Sequence, residues 1–152
     1  ISTAPCVLEP SAGTGALLEA VWREYPDKKV EYFELMPENK ERLTQMQGPM
    51  EFLGEDFLQC DGNRRWQAII ANPPFSENQD VKHVMRMYEA LERGGCVTAV
   101  MSNHWTFAED KICKDFRQLL ETQDALIESV PSGAFSKSGT SISTTIVRLI
   151  KP

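Results

Sequence analysis

No run of about 18 apolar residues occurs anywhere in the chain, which excludes a membrane-spanning helix. No secretory leader is recognisable, and the first residue is Ile1 rather than Met, so a partial chain is expected. Cysteine and histidine are both scarce. The four cysteines (Cys6, Cys60, Cys96 and Cys113) are scattered with no C-x-x-C pair, and the two histidines, His83 and His104, do not complete a set with zinc spacing. No metal is expected. Cys6 and Cys96 open apolar runs, which points to buried, reduced thiols and a cytoplasmic setting. Basic residues are also in deficit. The net charge of −6 argues against a nucleic-acid footprint over the whole surface. The acid excess is concentrated in the first 61 residues, so the second part of the chain still permits a polyanionic substrate. Internal repeats and low-complexity segments are absent as well.

What is present is enough for one domain: 152 residues, 41% hydrophobic and 25% charged. The apolar run Val7-Leu8-Glu9 is broken by Pro10-Ser11-Ala12-Gly13-Thr14-Gly15, and Ala16 to Trp22 then has helical spacing. Strand, glycine turn and helix open a nucleotide-binding βα unit, because glycines let the backbone approach a ligand at the helix N-terminus. The dinucleotide fingerprint is not met, since Leu18 stands at its third glycine. Glu9 beside the turn is unsuited to pyrophosphate and suits a cationic or zwitterionic ligand.

A second strand, Lys29 to Leu35, carries Glu34 at its tip, 19 residues after Gly15. An acid there can accept both hydroxyls of a ribose. Pro37 and Glu38 open the next helix. Met50 to Phe57 reads as a third strand and an acidic turn containing Asp56, and Trp66 to Ala71 as a fourth strand. Val81 to Arg93 has helical periodicity, with a stripe of Val81, Val84, Met85, Tyr88 and Leu91 and a cap at Gly94-Gly95. A fifth strand follows over Cys96 to Met101, then an amphipathic helix within Phe107 to Leu120. The last two strands, Ala125 to Val130 and Ser143 to Ile150, have only a polar, glycine-rich loop between them. They are expected to pair antiparallel at one sheet edge, and so long a loop is expected to be functional.

The fourth strand ends in Ala71-Asn72-Pro73-Pro74-Phe75. Consecutive prolines fix φ and supply no backbone donor. An amide side chain, a rigid carbonyl and an aromatic ring are thereby held at the carboxyl end of a strand, where open α/β sheets place their chemistry.

In this combination the chain resembles the class I S-adenosylmethionine-dependent methyltransferases over nearly all its length. The resemblance implies a single catalytic domain over 1–152, with a Rossmann-like, seven-stranded, mostly parallel sheet, helices on both faces and a C-terminal antiparallel strand pair. It implies S-adenosylmethionine as cofactor. Glu9, Pro10, Ser11, Ala12, Gly13 and Gly15 look like the cofactor loop, Glu34 with Leu35 like the ribose site, and Asp56 with Phe57 like the adenine-flanking pair. Asn72, Pro73, Pro74 and Phe75 look like the motif of the amino-methylating branch, with Asn72 also bordering the cofactor.

A conjugated NH2 is a poor nucleophile because its lone pair is delocalised. The Asn72 side-chain oxygen and the Pro73 carbonyl would accept both of its N–H groups and turn the lone pair toward the methyl, while Phe75 stacks on the plane. Among acceptors, the motif order and the late Gly133-Ala134-Phe135 loop look like adenine-N6 DNA methyltransferases, with Phe135 packing on an extruded base. The same Asn-Pro-Pro-Phe suits an RNA base amino-methyltransferase. A protein glutamine N5-methyltransferase and a non-catalytic cofactor-binding subunit are the other readings. The expected partner is nucleic acid, DNA before RNA. No target-recognition domain is evident in the sequence, so a separate recognition domain or subunit is expected.

Overall fold

The computed structural model describes residues 1–132 and 143–152. Its strands are β1 (Cys6–Glu9), β2 (Lys29–Phe33), β3 (Met50–Gly54), β4 (Trp66–Ala71), β5 (Leu91–Met101), β6 (Leu126–Val130) and β7 (Thr144–Ile150). The helices are α1 (Ala16–Glu24), α2 (Pro37–Thr44), α3 (Gln79–Glu89) and α4 (Lys111–Thr122), with short 3-10 turns at Phe57–Gln59, Ser76–Asn78 and His104–Thr106. The seven strands form one sheet in the order β3-β2-β1-β4-β5-β7-β6. The pairs β1–β2, β2–β3, β1–β4 and β4–β5 are parallel, and β7 is antiparallel to both β5 and β6. This is the expected fold class. The last two strands do pair antiparallel, and β7 inserts between β5 and the edge strand β6.

Alternation along the strands separates two cores. Val30 and Tyr32 pack with Leu18 and Val21 of α1 and Leu43 of α2. Leu8, Phe33, Ile69, Ala71, Val97 and Ala99 pack with Val81, Val84 and Met87 of α3 and with Cys113, Phe116 and Leu120 of α4. Helices therefore cover both faces. No α-helix joins β3 to β4 among the described residues, and the sheet there borders a cavity of about 770 Å³ between Phe33, Leu53, Arg64 and Trp66.

Four expectations change. First, Gly94-Gly95 does not cap α3, which ends at Glu89. The glycines sit inside β5, whose register against β4 jumps from Trp66↔Leu91 to Ala68↔Cys96. Gly94 takes φ 81 in that bulge, a conformation that favours a residue without Cβ. Second, the buried stripe of α3 runs through Val81, Val84 and Met87 with Asp80 and His83, while Met85 and Tyr88 are half-buried and Leu91 belongs to β5. Third, the helix expected within Phe107 to Leu120 starts inside that range at Lys111 but runs past it to Thr122. Fourth, Cys113 is the buried thiol, whereas Cys6 and Cys96 are half-buried; all four are free.

Candidate functional site

The parallel strands order the site. Their carboxyl ends carry, across the sheet, Asp56 after β3, Glu34 after β2, Glu9 at the end of β1, Asn72 after β4 and Ser102 after β5. The strand order reverses between β1 and β4, and a crevice at such a switch point is where open α/β sheets bind ligands.

The glycine turn is built by its backbone. Ala12 N donates to the Phe33 carbonyl at 3.0 Å, and Gly15 N to the Ala12 carbonyl at 3.0 Å. Gly13 and Gly15 have φ 58 and φ 93. At Gly15 the positive φ is what favours glycine, and a Cβ would also displace the end of the Met46 side chain, whose Sδ stands 2.4 Å away. A Cβ at Gly13 would meet only the Ser11 carbonyl, at 3.9 Å, which leaves that turn open.

Two carboxylates frame this turn. Glu34, only 6% exposed, accepts from Gly13 N at 2.5 Å and from Met36 N at 2.8 Å. It thereby ties the turn after β1 to the end of β2. Beyond it, Leu35 is 59% exposed, an apolar side chain held in solvent beside a buried acid. Glu9 is 1% exposed and accepts from Ser11 N at 2.8 Å. Burial pushes its pKa up to about 8, and the Glu34 charge adds to that shift against the Ser11 hydrogen bonds. Neither acid has a Lys or Arg partner among the described residues. A buried carboxyl without a counter-ion fits a ligand bearing a positive group and does not fit a phosphate.

Asp56 accepts from Leu58 N at 3.0 Å and starts the 3-10 turn. Phe57 is fully buried, its ring edge-on to Phe33 at 5.4 Å and 6.2 Å from His83. Pro10 and Ala12 are buried, Ser11 half-buried. In the motif after β4, Asn72 and Phe75 are half-buried, Pro73 buried and Pro74 exposed. The Asn72 carboxamide has no hydrogen-bond partner among the described residues, so its donors and acceptor stand free. Phe135 lies outside the described residues.

The sequence reading missed two buried polar residues on α3. Asp80 is 1% exposed and accepts from Ser102 N at 2.9 Å and Ser102 Oγ at 2.8 Å, fastening α3 to the end of β5. His83 packs on Phe57, with its Nδ1 unpartnered among the described residues. Burial lowers its pKa against the opposing pull of Asp56 and Asp80. The available signal was a polar residue recurring at Asp80 and His83 along the stripe of α3, whose periodicity was read only from Val81 onward. By contrast, Trp105 is buried beside an exposed His104.

No family model and no curated protein matches this chain. Solved structures do. The methyltransferase subunit of a type I restriction-modification system from Streptococcus thermophilus is 18% identical with a TM-score of 0.76, over 98% of this chain and 40% of that one. The plantazolicin methyltransferase BpumL in complex with SAH is 11% identical with a TM-score of 0.66, over 99% and 77%. An rRNA methylase from Streptococcus thermophilus is 13% identical with a TM-score of 0.63, over 97% and 87%. The chain spans 40% of the length of the restriction-modification subunit it matches. At these identities the likeness is one of fold, and the fold is the one that all three methyltransferases share.

Proposed function

We propose that this chain is the catalytic core of an S-adenosylmethionine-dependent methyltransferase acting on an exocyclic amino nitrogen, with adenine N6 in DNA as the first acceptor to test. The carrying observation is the free Asn72 carboxamide, set by two prolines at the carboxyl end of β4 and next in the sheet to the strand that ends in Glu9. The likeness to a restriction-modification methyltransferase subunit supports the choice of DNA, and the likeness to an rRNA methylase keeps RNA as the second acceptor.

The residues present fit this cofactor. Glu9 is buried without a cation, Glu34 lies at the tip of the second strand, and Gly13 leaves room for a close approach. When bound, the cofactor supplies an electrophilic methyl on a positively charged sulfur. The chain's own groups then position the acceptor. The Asn72 oxygen and the Pro73 carbonyl accept the two N–H groups of the amine and turn its lone pair out of conjugation. Phe75, next along, covers the acceptor's plane. Asn72 is neutral and moves no proton. Its contribution is alignment and stabilisation of the positive charge that grows on the amine.

The test is methyl transfer from radiolabelled cofactor to duplex DNA, single-stranded DNA, ribosomal RNA and a release-factor peptide in parallel. Label in N6-methyladenine supports the first acceptor; label only in RNA or peptide overturns it. Asn72→Ala is expected to lower transfer by roughly a thousandfold while cofactor affinity stays within about threefold. A large loss of cofactor affinity contradicts the role given to Asn72.

A further inference from the structure

Between Phe75 and α3 the chain passes through two successive left-handed residues, Glu77 with φ 55 and Asn78 with φ 58. For Glu77 this conformation costs on the order of 1 kcal/mol and persists only where the surroundings enforce it, whereas asparagine tolerates it better. The enforcing contacts converge on Asn78. Its Nδ2 donates to Asp110 Oδ2 at 2.6 Å, and its Oδ1 accepts from Cys113 Sγ at 3.5 Å. Burial, with the Asp110 charge adding, pushes the Cys113 thiol up to about 12, so it remains a protonated donor at neutral pH.

Asn78 is the N-cap residue of α3 and Asp110 the N-cap residue of α4, yet neither side chain caps its own helix. An N-cap hydrogen bond is worth about 1 kcal/mol to its own helix. Both residues forgo it for a bond to each other, across 32 positions of sequence. That exchange does little for either helix. It fastens the segment leaving Phe75 to the start of α4, while Asp80 fastens the same segment to Ser102. The Asn72–Phe75 motif is thus anchored through its following residues to the β5–α4 connection.

Building on the amino-methylation reading, we infer that Asn78 is a positioning residue for the methyl-acceptor clamp: its bond to Asp110 sets the attitude of Asn72 and Phe75 toward the acceptor. Asn78 touches neither cofactor nor substrate. It acts through the backbone that carries the clamp.

The experiment is a charge swap on the full chain at pH 8. Asn78→Asp keeps a residue tolerant of left-handed φ but sets a second carboxylate against Asp110. Adding Asp110→Asn restores a carboxamide–carboxylate pair of reversed sense, which also still accepts from Cys113. The single variant should lose about tenfold or more in kcat with the KM for cofactor unchanged within about twofold, and the double variant should return to within about threefold of wild type. Peptide-resolved thiol labelling reports the latch itself: Cys113 should label faster in Asn78→Asp and regain protection in the double variant. Asp110→Ala, at an exposed position, removes the partner should Asn78→Asp fold poorly, and it should reproduce the kcat loss. An unchanged kcat in the single variants, a loss confined to KM, a loss that the swap does not repair, or unaltered Cys113 labelling each overturns the assignment. Absence of transfer by the wild-type chain to any acceptor overturns the amino-methylation reading and, with it, this one. Transfer by wild type with insensitive variants overturns only the role of Asn78.

Discussion

Near the amino ends of β1 and β4, Glu31 is fully buried and meets the Arg64 guanidinium, Lys29 Nζ at 3.3 Å and the Trp66 indole N–H at 2.7 Å. At the carboxyl ends, Glu9, Glu34 and Asp80 are almost as deeply buried, and they accept only from backbone amides, the Ser102 and Ser11 hydroxyls and the Asn39 amide. The same chemical group is neutralised at one end of the sheet and left without a cation at the other. A buried carboxylate that has found its cations is a structural knot. Three that have not are held by hydrogen bonds alone, and such sites are where function is accommodated.

Substituting the two kinds of acid by their amides should break this contrast in opposite directions. Glu9→Gln carries the largest effect. The folded pKa of Glu9 is raised, so its contribution to stability is full below its unfolded value of 4.5 and is lost as pH rises through about 8. Removing the charge should therefore stabilise the chain at pH 8, by on the order of 2–3 kcal/mol in urea unfolding, and by clearly less at pH 5. The same variant should bind S-adenosylmethionine about tenfold more weakly in calorimetry. No gain at pH 8 would mean that Glu9 has a counter-charge after all.

Glu31→Gln should do the reverse at neutral pH, costing about 1–2 kcal/mol while leaving cofactor affinity unmoved, because Arg64 loses its carboxylate while Lys29 keeps Glu51 and Trp66 keeps an acceptor. A neutral result would reduce the knot to a surface ion pair. The smallest effect belongs to His83. Its folded pKa is lowered, so stability is present above 6.5 and declines as pH falls below it. His83→Gln should make the loss between pH 7 and pH 5 shallower than in wild type. An unaltered acid limb would show that His83 is not a source of the decline.

Much of the architecture was legible because it rests on local pattern. Parallel strands buried on both faces read as apolar runs, and the glycine turn, the Pro37 helix start and the Asn72-Pro73-Pro74 stop each act within a few residues. What was not legible depends on partners far apart in sequence. Lys29-Val30-Glu31-Tyr32-Phe33 alternates as a half-exposed strand would, and only the fold brings Arg64 and Trp66 to Glu31. The glycine pair after α3 looked like a helix cap, since nothing local says that Leu91 already pairs with Trp66 and that the glycines relieve the resulting bulge. Within the site, Glu9, Gly13 and Glu34 were picked out individually, but the hydrogen bond that joins Gly13 to Glu34 was not. Asn78 was passed over entirely, because a helix-start asparagine gives no sign of forgoing its own helix.

The insertion of β7 between β5 and β6 has a consequence for synthesis on the ribosome. Strand β6 has no hydrogen-bonded neighbour other than Thr144–Ile150, so until those residues emerge the β5 edge is open and the strand bearing the exposed Leu126 and Ile127 has nothing to pair with. At roughly 5–20 residues per second that interval is on the order of seconds, and an unpaired edge is then the most vulnerable surface of the molecule. Strand β7 arrives after β6 and joins it to the rest of the sheet, and Lys151 secures it by exchanging backbone hydrogen bonds with Gly94 and Gly95 at 2.7 and 3.0 Å.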